Sequence, residues 1–172
     1  MATESAVPVK HKPTQMVYPL QTGIWRIRNA ERSANDIPPE ANVFGRGGIF
    51  NTHRSKGRHG GWDLQAAVGT AVYAVRGGSI LDVGTNDGVS GWGPNHIMHS
   101  FTFNDGSGAK EYTIRYAHLS RVSVRNGGSV REGELIGYSG ETGVGSPPHL
   151  HIEFKLDGVG VNPTKFFGLA PF

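Results

Sequence analysis

Residues 147–161 read PPHLHIEFKLDGVGV, and the reading of this stretch decides the fold. Along a β-strand successive side chains point to opposite faces, so His149 and His151 project together while Leu150 turns toward a core. Asp157 and Gly158 supply a hairpin turn, and Asn162-Pro163 then turns the chain into an apolar tail. Working outward, the same pattern recurs in TAVYAV (70–75), SILDV (79–83), HIMHSF (96–101), EYTIRYAHL (111–119), SVRNGGSV (123–130) and ELIGYS (134–139). Each is rich in β-branched or aromatic residues and bounded by turn residues. The 26 glycines fall mostly at these boundaries. The expected fold is mainly β: a single domain built on an antiparallel sheet, with surrounding loops forming a groove.

At 172 residues the chain suits one domain with its own core. Residues 1–16, with Pro8, Pro13, Lys10 and Lys12 and no periodicity, read as a flexible lead-in, leaving 17–172 as the folded domain. NAERSAND (29–36) is compatible with a short helix before Pro38 and Pro39. No domain boundary is visible between 40 and 172. The absence of cysteine excludes disulfides, thiol nucleophiles and thiolate zinc fingers. A net charge of +3 suits approach to an anionic polymer or simple solubility, and no aromatic-basic motif supports nucleic-acid binding. No apolar run reaches a membrane-spanning length. The opening MATESAVPVKHKPTQMVYPL lacks the apolar stretch of a secretory signal, so a leader was removed or another export route is used.

A second cluster, RHGGWDL at 58–64, holds His59 and Asp63. Their spacing would share a helix face, but Gly60 and Gly61 argue against a helix and place His59 on a loop and Asp63 at a strand start. Together His59, Asp63, His149 and His151 offer up to four ligands for one zinc ion; spacing does not decide which histidine of the HxH pair binds. Two imidazoles, a carboxylate and one position left for water form the open site that hydrolysis needs. In RYAHLSRV, Tyr116 and His118 alternate along a strand, which predicts a shared face pointing into a cleft. His11, His53, His96 and His99 read as solvated polar groups. Trp62, Trp92 and Tyr138 are candidates to line a groove or to fill the core, Asn95 reads as structural, and Glu153 shares the face of His151 and could orient a ligand.

With these segments the chain resembles the lysostaphin-type, or LytM-like, zinc endopeptidases of bacterial peptidoglycan, whose fold is related to duplicated hybrid motifs. The resemblance covers FGR (44–46), HGGWDL (59–64), GTAVYAVRGGSI (69–80), YAHLS (116–120), VREGELIGYSGETG (130–143), PHLHIEF (148–154) and the closing VNPTKFF. It implies that His59, Asp63 and His151 bind a single Zn2+ and that His118 and His149 are catalytic beside it. Which of those two is the base stays open; no HExxH is present, so a histidine takes the role glutamate plays in HExxH enzymes. The implied substrate is the peptide stems or cross-bridges of peptidoglycan, attacked at the cell wall or in the periplasm by a monomer, as in a phage lysin or a secreted antibacterial effector. NDGVSGWGP (86–94) and SFTFNDGSGAKE (100–111) are longer than a minimal member needs and are expected to be loops framing the groove. Two other readings compete. A catalytically silent relative that binds the wall or regulates an amidase would have lost ligands, whereas all five positions are intact here. A biotinyl- or lipoyl-like carrier is suggested by VREGELIGYSG, but no lysine occupies a matching turn tip.

Overall fold

Short β-branched and aromatic runs cut by glycine and aspartate turns fold into twelve strands among the residues that the computed structural model describes, which are 16, 19–20, 50–51, 53–54, 57–84, 91–143 and 147–167. The strands are β1 (His53–Arg54), β2 (Gly57–Arg58), β3 (Trp62–Gln65), β4 (Ala71–Tyr73), β5 (Gly78–Gly84), β6 (His96–Asn104), β7 (Ala109–Ala117), β8 (Leu119–Val122), β9 (Ser129–Val130), β10 (Leu135–Ser139), β11 (His149–Leu156) and β12 (Val159–Val161). The expected lead-in before residue 16, the helix in NAERSAND and the FGR segment lie outside the described residues. No helix among those described is long and apolar enough to cross a membrane.

All pairings are antiparallel. The large sheet runs β12-β11-β7-β6-β5-β9, and β3 also pairs with β11. One side of β11 is thus shared: β3 takes its first half, β12 its second, and β7 lies along the other side. A smaller sheet, β4-β10-β8, contributes Val72, Ile136 and Leu119 to the same core. The two are tied where the backbone N–H of Val75 donates to the Tyr116 hydroxyl at 3.1 Å.

Register explains the division of labour on the large sheet. Leu150 faces Leu64 and Ile152 faces Trp62, while Tyr116 pairs with Ile152 and Ile97; all are fully buried on the core face. His151 pairs with both Asp63 and Ala117, so the intervening positions carry the polar groups to the opposite face. Burying a large apolar side chain contributes roughly 1.5–3 kcal/mol, so a one-residue slip of β11 would forfeit several such terms at once. The hairpin after β11 has φ of 50° at Asp157 and 78° at Gly158, the doubly positive turn that matches strand twist. Asn162 accepts a hydrogen bond from the Thr164 N–H and caps a 3₁₀ turn over Pro163–Phe166, which seats Phe166 on Phe154 and Phe167 on Trp62.

Three expectations change. SVRNGGSV is mostly a turn: Gly127 adopts φ 71° and only Ser129–Val130 forms a strand. SFTFNDGSGAKE is not a groove loop but the end of the β6–β7 hairpin, with Phe101 and Phe103 in the core and only Asp105–Gly108 as its turn. His96 and His99 are not solvated but buried on β6. His99 packs between Phe101 and Tyr116, and burial pushes its pKa down to about 4. His96 sits against the Trp92 edge with Asp82 3.4 Å from its Nε2. His53 is exposed, as read, and His11 lies outside the described residues.

Candidate metal centre

The centre is assembled by strand register on one side and by a close backbone crossing on the other. Asp63 on β3 lies directly opposite His151 on β11, and His149 lies two residues earlier on the same face. His59 reaches them because Gly60 and Gly61 let the chain press flat onto β11. A Cβ on Gly61 would lie 2.0 Å from the Ile152 carbonyl oxygen, and one on Gly60 would lie 2.8 Å from Glu153 Oε1. Gly61 is required here by proximity to backbone, not by a positive φ, whereas Gly60 meets only the movable end of Glu153.

The buried groups His59, Asp63 and His151 bring one donor atom each within 4.8 Å of the others. His151 Nδ1 is 2.7 Å from Asp63 Oδ1, His59 Nε2 is 3.1 Å from the same oxygen, and the two ring nitrogens are 3.1 Å apart. These three contacts cannot all be hydrogen bonds. If both nitrogens donate to the carboxylate, two N–H groups confront each other; if one nitrogen accepts, its lone pair faces the carboxylate oxygen. A cation among the three satisfies all of the lone pairs. Ligand bonds of 2.0–2.1 Å in a tetrahedron place neighbouring donors about 3.3 Å apart, close to the spacing found. The donor set therefore fits a metal with one or more open positions. Burial works to raise the Asp63 pKa, but hydrogen bonds and charge from His151 and His59 outweigh it and hold the carboxyl well below the usual carboxylate range, ionised as a ligand must be.

His118 and His149 stand beside this trio with ring centroids 4.5 Å apart, and His118 is 5.9 Å from His151. His149 Nδ1 lies 2.9 Å from the Pro147 carbonyl and His118 Nδ1 lies 2.6 Å from the Thr142 carbonyl. A carbonyl only accepts, so both rings carry a proton on Nδ1, and a neutral ring then presents Nε2 as the acceptor. Burial, and then the charges of His149 and His151, push the His118 pKa down to about 4 despite the Thr142 hydrogen bond, so the ring is neutral near pH 7.

The prediction that Tyr116 and His118 share a face fails, for a visible reason. His118 has φ 60° and falls in the break between β7 and β8. Tyr116 continues the core face, whereas the left-handed residue turns the next imidazole to the polar side. This uncommon backbone is held by the His118 N–H donating to the Trp92 carbonyl at 3.0 Å and the Leu119 N–H donating to Asn95 at 3.1 Å. Asn95 also donates from Nδ2 to the Ser120 carbonyl, which gives it the structural part read from sequence.

A groove of about 350 Å³ runs past His59, His118 and His151, bounded by Gly57, Gly60, Gly91, Trp92 and Glu153. Trp62 is wholly in the core, Tyr138 is half-buried under Arg121, and of the three aromatic candidates Trp92 lines this groove. Glu153 shares the His151 face as expected but is drawn to Lys155 and Arg115, at 3.2 and 3.7 Å. Two residues at the site escaped the sequence reading. Thr142 supplies the carbonyl for His118 and ties its own hydroxyl to the Leu119 carbonyl at 2.9 Å, and Arg115 stacks beneath Trp92 at 3.6 Å. Both act through partners distant in sequence, which no local pattern signals.

Known proteins resemble this chain in sequence and in fold. The glycyl-glycine endopeptidase ALE-1 of Staphylococcus capitis is 40% identical over 98 residues, covering 56% of this chain and 24% of that protein. The peptidoglycan DD-endopeptidase ShyC of Vibrio cholerae is 35% identical over 105 residues, covering 61% and 22%. The chain thus spans about a quarter or less of the length of these curated relatives. The solved catalytic domain of lysostaphin, an antimicrobial peptidase from Staphylococcus simulans, superposes with a TM-score of 0.55 at 31% identity, over 69% of this chain and 86% of that one. The sequence profile of peptidase family M23 matches residues 57–163, more than half of the chain, and the chain belongs to that family.

Proposed function

We propose that this chain is a zinc-dependent endopeptidase that hydrolyses peptide cross-links of bacterial peptidoglycan at the cell wall. The observation that carries the reading is the convergence of His59, Asp63 and His151 on one point, with two Nδ1-protonated imidazoles beside it and an open groove running past His59, His118 and His151. His59, Asp63 and His151 hold one zinc ion, which polarises a scissile carbonyl and acidifies water when bound. His118 and His149 move the protons. A neutral Nε2 takes a proton from the attacking water, and an imidazole in its protonated state donates to the departing amine or to the developing oxyanion. The carbonyls of Thr142 and Pro147 keep both rings in the tautomer this requires. The names of the relatives, which act on glycyl-glycine bonds and on peptidoglycan, support the substrate class.

Isolated sacculi from a glycine-bridged and from a directly cross-linked wall, incubated with the purified protein, test this directly. Release of peptide-linked fragments is expected from at least one wall, abolished by a chelator, restored by zinc and absent in His59→Ala. Binding to sacculi without any zinc-dependent release would replace the enzyme by a wall-binding relative. Mass spectrometry of the fragments identifies the bond.

A further inference from the structure

One feature of the groove lies outside the proton and metal chemistry. Arg115, on the polar face of β7, has a side chain only 14% exposed, and its Nε and Nη1 are buried without a hydrogen-bond partner among the described residues. What surrounds it is poor at satisfying a cation. Nη2 donates to the thioether sulfur of Met98 at 3.2 Å, and Nη1 is 3.7 Å from Glu153 Oε2, too far for a hydrogen bond. Instead the guanidinium carbon lies 3.6 Å from the centre of the Trp92 ring. Burying a guanidinium with unmade hydrogen bonds costs stability, and an apolar residue of the same length would fill the space without that cost. The stack on Trp92 and the ion pair to Glu153 are what Arg115 specifically supplies, and a cation on an aromatic face holds both groups in place.

Trp92 in turn borders the groove. Around it the lining consists of glycine backbone and polar or charged side chains, which makes Trp92 the one large apolar side chain among the described lining residues. Its carbonyl accepts from the His118 N–H at 3.0 Å, which ties the residue to a histidine of the proposed reaction. The brace continues through Arg115 to Glu153 on β11, two residues past His151, where Lys155 also pairs with the carboxylate. The loop bearing Trp92 and the strand bearing His151 are thereby joined across the groove floor.

We propose that Trp92 is a substrate-contacting wall of the groove, a flat apolar surface on which the peptide segment beside the scissile bond packs, and that Arg115 is the positioning residue that holds the indole there. This rests on the peptidase reading above. Apolar area covered in a mostly polar cleft falls on few side chains, so binding depends heavily on them.

The test uses soluble cross-linked muropeptides and the zinc-loaded protein. Trp92→Ala is expected to raise KM by about tenfold with kcat changed less than about threefold, the signature of lost uniform binding, while Trp92→Phe keeps KM within about threefold. Arg115→Met moves KM in the same direction, and zinc content and melting temperature of Trp92→Phe match the parent. Equilibrium binding of the same muropeptides to His118→Ala, followed by tryptophan emission, should show a change that Trp92→Phe in that background removes. An unchanged KM in Trp92→Ala, or an emission change that survives Trp92→Phe, would overturn the proposal. If the unaltered protein releases no fragments, the peptidase reading fails, while the binding arm still decides the fate of the Trp92 wall.

Discussion

His151 and Asp63 face each other because two strands pair in a fixed register, whereas His118 reaches the same centre from a one-residue break in which alternation is abandoned. The first arrangement is secured by Leu64, Trp62, Leu150 and Ile152 on the reverse of the same strands; moving the polar face would expose the core face. The second has no such backing. It depends on individual hydrogen bonds, from His118 to Trp92 and Thr142 and from Leu119 to Asn95. Two of the three proposed ligands, Asp63 and His151, are thus set by strand register, whereas His118, proposed to move protons, is set by loops that can be adjusted independently.

The largest expected effects test whether the two halves carry separate duties. His151→Ala should lower bound zinc from one equivalent to near none and reduce hydrolysis by at least ~10³-fold, since the metal supplies several kcal/mol of transition-state stabilisation. Metal analysis of the dialysed protein beside a muropeptide assay would show it. His118→Ala should reduce kcat by roughly 10²–10⁴-fold, the usual contribution of a general acid or base, while zinc content stays at one equivalent. Loss of zinc in His118→Ala would erase the distinction between the halves.

The contrast also marks how much the sequence discloses. Alternation in HLHIEF and the Gly-Gly before Trp62 are local signals, and from them Leu150 in the core, Asp63 on a strand and His59 on a loop were all legible. The division of His149 from His151 was not; it came from family resemblance. His118 borders the groove as expected, but its shared face with Tyr116 was misread, because a positive φ at a non-glycine residue leaves no mark in the sequence and is sustained by distant carbonyls. Arg115 and Thr142 were invisible because their partners are distant in sequence, and the polar letters at His96 and His99 concealed their burial on a strand that the pattern did show.

A milder substitution sharpens the loop-held half. The Thr142 hydroxyl donates to the Leu119 carbonyl and so steadies the carbonyl that accepts from His118 Nδ1. Thr142→Val keeps the shape and removes that bond, worth about 1 kcal/mol, so kcat should fall by about fivefold with KM and zinc content unchanged. Thr142→Ser should restore kcat. Steady-state kinetics with metal analysis separates this from a general loss of structure, which would move all three quantities.

The core face carries its own histidine, and it extends the comparison to pH. His99 is fully buried, with Nδ1 3.4 Å from the Tyr116 hydroxyl and Nε2 without a hydrogen-bond partner among the described residues. Its folded pKa of about 4 lies below the unfolded value of 6.5, so the unfolded chain binds the extra proton first as pH falls. The stability this neutral ring preserves is complete above pH 6.5 and declines between pH 6.5 and about 4, by an amount on the order of 3 kcal/mol. His99→Phe fills the same aromatic stack without a titrating group and should flatten that part of the curve. Urea unfolding of the metal-free proteins at a series of pH values isolates the effect as a difference between parent and variant, because the two proteins share every other side chain. A difference that stays constant from pH 7 to 4 would mean that His99 is protonated within the core, and the two faces of the sheet would then be less distinct than their side chains suggest.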